Sequence, residues 1–133
     1  MALQLTHIDN RSDALEYGDL YNWNTRFNIV GFEYLKGDWT LAAESGWGPT
    51  VIIVGTRTFV SDLRANYLLV SRQLVHGRAS VRVDEFDDGT RRDQAITVAW
   101  FWIPSEGMSV GAELVTTGDE NRLILQCRYG FSM

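Results

Sequence analysis

The stretch ENRLILQCRYGFSM (120–133) alternates apolar and polar side chains with a period of two. One side of an extended strand carries Leu123, Leu125, Cys127, Tyr129 and Phe131. The residues between them are polar or small, apart from Ile124. Because successive side chains of a strand point to opposite faces, this pattern predicts a β-strand rather than a helix. The apolar side must then contact either a protein core or lipid.

Composition limits the class of protein. The chain has 133 residues, which suits a single domain or part of a larger one. A formal net charge of −5 argues against nucleic acid as a partner, because phosphate binding requires a basic surface. Cys127 is the one cysteine, so neither an internal disulfide nor a zinc site built on thiolates is expected.

Targeting signals are weak in this sequence. No stretch approaches the roughly 18 apolar residues of a membrane-spanning helix. The N-terminal MALQLTHIDNRSD lacks the basic start and apolar segment of a signal peptide. As written, the sequence predicts either a cytoplasmic protein or an export signal that is encoded elsewhere.

The same alternation recurs in segments of about ten residues and predicts an all-β, antiparallel, up-and-down meander of eight or nine strands. We expect strands at 2–10, 22–35, 38–47, 65–75, 78–86, 93–103, 108–117 and 122–131. The segment VIIVGTRTFV (51–60) is either a ninth strand or structure within a long loop. The best helical candidate is the short SDALEYGDLY (12–21).

Short and long connections alternate along most of the chain. Tight, glycine-containing turns are predicted at 36–38, 75–77 and 104–107, and longer polar connections at 11–21, 48–64 and 87–93. One rim of short turns and one of long loops is the layout of a transmembrane β-barrel. Soluble up-and-down barrels show it less regularly.

The contents of the two faces favour a barrel with its polar face inside. That face mixes charges with Gly, Ala, Ser and Thr, and the whole chain has one lysine, Lys36. Aromatic residues gather near strand ends, as in the girdles of membrane barrels: Tyr34, Trp39, Trp102, Tyr129 and Phe131 by the short turns, and Trp23, Trp47 and Tyr67 by the long loops. Strand 22–35 changes phase near Ile29-Val30, which predicts a β-bulge. Strand 65–75 carries Leu68 and Val70 on the same face as Arg72, so the pattern does not orient it.

A polar lumen would be lined by eight charged side chains: Arg26, Glu44, Arg72, Arg78, Arg82, Asp84, Glu113 and Arg128. Charged residues around a pore set its selectivity, and the excess of arginine leans towards anions or uncharged polar solutes. The alternative is that these arginines form salt-bridged ladders that stiffen the barrel.

Several segments resemble the last eight strands of Gram-negative outer-membrane porins, general or phosphate-selective. They are WNTRFNIVGFEYLKGDWTLAAESGWGPT (23–50), NYLLVSRQLVHGRASVRVDEFD (66–87), ITVAWFWIP (96–104) and GAELV (111–115). The resemblance covers about residues 20–131. It implies passive diffusion of small hydrophilic solutes across the outer membrane of a Gram-negative bacterium, and an assembly signal at Tyr129 and Phe131, although Ser132 and Met133 follow the final aromatic residue.

Porins of this kind have about sixteen strands, so the resemblance implies that residues 1–133 form the C-terminal half of a barrel. The implied partners are outer-membrane lipid, the barrel-assembly machinery, small hydrophilic solutes and, because many porins form trimers, further copies of the chain. Two alternatives stay open. One is a soluble β-barrel that binds a small apolar ligand, and the other is a small eight-stranded outer-membrane barrel that does not conduct.

Enzyme chemistry is not expected. His7 lies in a predicted strand and His76 in a tight turn, and no nucleophile-elbow motif accompanies them. The acidic segment 84–89 lacks the spacing of an EF-hand. Glu44 and Glu113 are better explained as lumen charges paired with Arg78, Arg82 or Arg128 than as a glycosidase pair. We therefore predict no catalytic residues, no cofactor and no metal site.

Overall fold

The computed structural model describes residues 1–11, 21–105 and 108–129. These residues form eight strands: β1 (Ala2–Arg11), β2 (Tyr21–Lys36), β3 (Trp39–Val54), β4 (Arg57–Leu74), β5 (Gly77–Asp87), β6 (Arg92–Ser105), β7 (Met108–Thr117) and β8 (Asn121–Tyr129). The predicted helix at 12–21, most of the connection at 11–21, part of the turn at 104–107 and the predicted signal residue Phe131 lie outside the described residues.

The prediction of an all-β antiparallel meander is confirmed. Every strand pairs with its sequence neighbours in one sheet of order β1 to β8. Within the described ranges β1 and β8 do not pair with each other, so the sheet is open rather than a closed barrel.

The turns lie along two opposite rims of the sheet, where the strands end. The short-turn rim contains the turns Gly37–Asp38 and Val75–His76, and the far rim contains Gly55–Thr56, 88–91 and 118–120. Gly37 and Gly55 have φ of 56° and 59°, a left-handed conformation that glycine adopts without steric cost. Each of these glycines therefore permits a two-residue turn between long strands.

The prediction of a long loop or ninth strand within 48–64 is wrong. These residues lengthen β3 and β4 into one hairpin, in which Val51 pairs with Val60 and Ile52 with Phe59. The β-prone side chains of 51–54 and 58–60 continue the ladder, and Gly55 closes it. β5 first pairs with β4 at Arg64, so the end of this hairpin extends beyond β5.

The predicted β-bulge near Ile29-Val30 is absent. The register between β2 and β3 runs without a shift from Tyr21–Val54 to Lys36–Trp39, although two pairs are missing opposite Gly48 and Pro49. Proline has no N–H to donate, which explains an interruption of the ladder without an inserted residue. A register shift is found instead between β6 and β7, from Trp102 to Ser105, and Pro104 lies within it.

The predicted long connection at 87–93 is a compact turn of residues 88–91. The Asp88 carboxylate accepts hydrogen bonds from the backbone N–H groups of Thr90 at 2.8 Å and Arg91 at 2.7 Å. The Arg91 bond, and then the Thr90 bond, hold the pKa of Asp88 below its usual range. The turn is therefore ordered by its own carboxylate.

The sheet has almost no core. Among the described residues, Ala99 is the buried hydrophobic side chain and Ser71 the buried polar one, at 6% and 2% exposure. Exposure alternates along β6: Ala95 and Thr97 are half-buried, whereas Ile96 and Val98 are exposed. Since no second layer covers either face, greater cover on one face means that the sheet curls towards it.

The strands are also staggered. A line of directly paired residues starts at Ala2, near the short-turn rim, and ends at Arg122, near the far rim: Ala2, Glu33, Ala42, Leu69, Arg82, Thr97, Val115 and Arg122. Each step across the sheet thus displaces the next strand by about one residue. With a rise near 3.3 Å and a strand spacing near 4.8 Å, this corresponds to a tilt of about 35°, typical of a barrel.

The close approach of β5 and β6 gives a test of the register. A Cβ added to Gly77 would overlap the Phe101 carbonyl oxygen on β6, whereas Gly118 faces open space. We expect Gly77→Ala to lower the free energy of unfolding by about 1–3 kcal/mol. The control Gly118→Ala should change it by less than about 0.5 kcal/mol. Urea unfolding in detergent micelles, followed by tryptophan fluorescence, measures both, and equal midpoints would contradict the pairing of Gly77 with Trp102.

Candidate functional site

Residues that pair directly in an antiparallel sheet point to the same face, so the register defines two faces. The polar face contains Glu44 and the residues level with it: Gln4, Gly31, Glu44, Tyr67, Asp84, Ala95 and Thr117. The apolar face contains the next residue of each strand towards the short-turn rim: Leu3, Phe32, Ala43, Leu68, Val83 and Ile96. The sheet curls towards the polar face.

Six of the eight predicted lumen residues lie on the polar face: Glu44, Arg78, Arg82, Asp84, Glu113 and Arg128. The expectation that Arg26 and Arg72 share that face is wrong. Arg26 pairs with Asp9, two positions along β1 from His7 on the apolar face, and Arg72 pairs with Trp39. Because β2 has no bulge, nothing returns Arg26 to the polar face.

Arg72 and Arg26 both lie at the margins of the apolar face. The Arg72 guanidinium carbon is 5.3 Å from the centre of the Trp39 ring, close to the short-turn rim. Arg26 lies towards the far rim, where its Nε is 3.8 Å from a carboxylate oxygen of Asp9. The cation–π contact and the ion pair give each arginine a partner outside the middle of this face.

The polar face fixes two arginines of β5 in different ways. Arg82 donates from Nε to Asp84 at 2.7 Å, and its guanidinium carbon lies 4.6 Å from the centre of the Tyr67 ring. Arg78 donates to the Ser71 hydroxyl at 2.7 and 3.1 Å. Arg82 is therefore neutralised by a carboxylate, whereas Arg78 is held by a neutral group and keeps its full charge.

The expected arginine partners of Glu44 and Glu113 are absent. Among the described residues, neither carboxylate has an arginine or lysine within salt-bridge distance, and Arg78 and Arg128 have no carboxylate. The polar face thus does not form the continuous salt-bridged ladder that the sequence left open. Four of its six predicted charges have no ion-pair partner among the described residues: Glu44, Glu113, Arg78 and Arg128.

Strand tilt sorts these charges into two rows. Each strand is displaced by about one residue from its neighbour. When this stagger is taken into account, one row at the same distance between the two rims contains Glu44 on β3, Arg82 on β5 and Glu113 on β7. Arg78 and Arg128 lie together nearer the short-turn rim. Small residues such as Ala99 and Gly111 occupy the polar face near these rows, and the Phe101 ring lies over Gly111.

The apolar face carries a band of exposed hydrophobic side chains, most of them on β1 and on β4 to β8. Its side chains include Leu3, Leu5, Leu68, Val70, Val81, Val83, Ile96, Val98, Trp100, Leu114, Leu123 and Leu125. The exposure of Leu125 is 73% and that of Leu5 is 74%. Such an extended apolar surface is far larger than soluble monomers leave uncovered, so it marks a contact surface.

The borders of the apolar band differ in composition. Near the short-turn rim the border is aromatic and contains Tyr34, Trp39, Trp102 and Tyr129, as expected from the sequence. Towards the far rim it is polar, with ion pairs such as Arg92–Glu85 at 2.6 Å, although Trp47 lies there as predicted. Tyr67, expected at this border, instead lies on the polar face beneath Arg82. Trp23 belongs to the far-rim extension of β2, opposite Ile52.

Sequence reasoning missed the supporting contacts of the polar face. Ser71 and Tyr67 carry no charge and lie on β4, whose orientation the sequence left undetermined. Their role depends on the pairing of β4 with β5, which places Tyr67 next to Asp84 and Ser71 next to Ser80. A small hydroxyl residue in an otherwise apolar segment is the one signal that could have identified Ser71.

Comparison with known protein families, curated proteins and solved structures finds no match. The described part of the chain contains no helix that is long and apolar enough to cross a membrane.

Proposed function

We propose that this chain forms the wall of a porin-type outer-membrane β-barrel, through which small hydrophilic solutes diffuse passively. The observation that carries the proposal is the opposition of the two faces. An apolar band bordered by aromatic residues lies on the face that the sheet curls away from, and charged side chains lie on the face that it curls towards. In a membrane barrel these positions contact lipid and lumen respectively.

The curl argues against the soluble alternative. A soluble barrel that binds an apolar ligand must enclose its apolar face and expose its polar face to water. Here the exposed side chains are those of Leu125, Val98 and their neighbours, whereas Ser71 and Ala99 on the polar face are buried. Closing the sheet in the soluble sense would require reversing its curvature.

The proposed mechanism is filtering by size and charge, without catalysis. A solute would pass one row that contains the unpaired cations Arg78 and Arg128 and another that contains the unpaired carboxylates Glu44 and Glu113. The predicted lean towards anions rested on five arginines facing three carboxylates. With Arg26 and Arg72 on the apolar face the numbers are equal, so the proposal is for polar solutes with a local anion preference at the Arg78 row.

The orientation of β8 offers a test of lipid contact with a control at the next residue. Leu125→Arg places a cation in the middle of the apolar band and should destabilise the protein in phospholipid vesicles by roughly 2–4 kcal/mol. Gln126→Arg adds the same charge on the polar face and should have little effect. Urea titration in vesicles compares the two. Equal stability of both variants, or a monodisperse unmodified protein in detergent-free buffer, would refute the membrane proposal.

The pairing of the two β5 arginines offers a test of the lumen. Arg78→Gln removes an unpaired cation. In water, a unit charge about 7 Å away attracts an anion and repels a cation by about 0.6 kcal/mol each, so the anion-to-cation permeability ratio should fall roughly sevenfold. Arg82→Gln removes a cation whose charge Asp84 already offsets locally and leaves that carboxylate unpaired. The double variant Arg82→Gln/Asp84→Asn removes a locally neutral pair, so its permeability ratio should equal that of the unmodified protein. Adding Arg78→Gln to that double variant should lower the ratio as it does alone. Reversal potentials across planar bilayers measure each ratio, and unchanged selectivity in Arg78→Gln would contradict a lumen position for Arg78.

A further inference from the structure

The outer edges of β1 and β8 present backbone N–H and C=O groups that no other described strand pairs. β1 has 10 residues and β8 has 9. In lipid, an open sheet edge is not tolerated, because each unsatisfied backbone group costs several kcal/mol. If the sheet is a membrane-barrel wall, as proposed above, both edges require a strand partner.

The two edges fit each other in direction. β1 runs from the short-turn rim to the far rim, and β8 runs from the far rim to the short-turn rim. A β8 edge placed beside a β1 edge therefore makes an antiparallel pair that continues the meander. The same placement keeps the polar faces of both strands on one side.

The stagger fixes the register of this junction. If each strand is displaced by about one residue, as in the rest of the sheet, and like faces stay together, Tyr129 lies opposite Leu3 and Asn121 opposite Arg11. All nine residues of β8 are then paired. Leu5 lies opposite Cys127 on the apolar face, and Ile8 lies opposite Ile124 on the polar face.

The side chains at this junction are compatible. On the polar face, Gln4 meets Arg128, Thr6 meets Gln126 and Asn10 meets Arg122, so each polar β8 side chain there has a polar neighbour, and Ile124 meets Ile8. No two like charges lie directly opposite each other at any of the nine pairs. On the apolar face, Leu3 and Leu5 meet Tyr129 and Cys127 near the short-turn rim. Towards the far rim, Leu125 and Leu123 meet His7 and Asp9, at the polar border of the band.

The open sheet indicates whether β8 pairs with β1 of the same chain or with β1 of a second copy. In a closed eight-stranded barrel the interior is filled by its own side chains. Here Arg82 on the polar face retains 48% exposure and Asp84 retains 30%, and Ser71 is the buried polar side chain among the described residues. Within the described residues the sheet of eight strands is open, and β1 does not pair with β8 of the same chain.

We propose that β8 of one copy pairs with β1 of a second copy, and β8 of the second with β1 of the first. Two identical junctions related by a two-fold axis close the ring, which is the commonest symmetry of oligomers. The ring has twice the strands of one copy and leaves a water-filled interior between the two polar faces. The rows of Arg78 and Glu44 are complete only when both copies contribute.

Cys127, the one cysteine of the chain, makes the junction testable in the full chain. The Leu5→Cys variant, refolded into phospholipid vesicles and oxidised with copper–phenanthroline, should form a disulfide between the introduced thiol of one copy and Cys127 of the other. The expected product is a covalent dimer on non-reducing gels, with most of the protein cross-linked. Thr6→Cys, which points to the opposite face, and Leu5→Cys combined with Cys127→Ser are the controls, and neither should form a covalent dimer on the same gels.

Each outcome separates this inference from the proposed function. A cross-linked monomer of increased gel mobility would show that the chain closes on itself and would overturn the two-copy ring. Protein that inserts into vesicles and resists protease, yet forms no cross-link in Leu3→Cys, Leu5→Cys or His7→Cys, would overturn the junction while leaving the membrane proposal intact. Failure of the unmodified protein to insert into vesicles would instead refute the proposed function.

Discussion

The backbone ladder is the constraint on which the rest of this molecule depends. Because the side-chain period of a strand is two, a slip of one residue between two neighbouring strands would move the apolar residues of every strand on one side of the slip to the other face. The pairing of β2 with β3 passes the Gly48–Pro49 interruption without such a slip, so Thr25 and Thr50 beyond it keep the face of Glu33 and Ala42. Eight short amphipathic patterns thereby become two continuous surfaces.

Those surfaces leave the chain unable to stabilise itself by a conventional core. Full burial of a leucine contributes about 1.5–3 kcal/mol, yet Leu3, Leu5, Leu123 and Leu125 are each more than 60% exposed. A sheet whose apolar face is uncovered must gain its stability from whatever covers that face. Lipid would cover it without a second layer of protein, and the tilt of about 35° suits strands that cross a bilayer obliquely.

The sequence predicted the strands well and their ends poorly. Alternation is a local property, so β5, β7 and β8 were placed within one or two residues. The far-rim extension of β3 and β4 was missed because its apolar residues are consecutive and show no period of two. They are VIIV (51–54) on β3 and Phe59-Val60 on β4. The face of Arg72 could not be read from β4, since Leu68 and Val70 alternate with Leu69 and Ser71; only pairing with β3 and β5 decides it. Contacts such as Arg78–Ser71 depend on that pairing and have no local signal.

The two misplaced arginines strengthen the interpretation of the apolar face rather than weaken it. A cation in the middle of a lipid-facing band is costly, whereas at the border its long side chain can reach the polar interface while its methylenes cover apolar surface. Arg72 lies beside Trp39 at the aromatic border, and Arg26 lies beside Asp9 at the polar border. Both positions follow from the tilt, because the height of a residue depends on its strand as well as its place along it. A flat, soluble sheet would place no such restriction on where these charges fall.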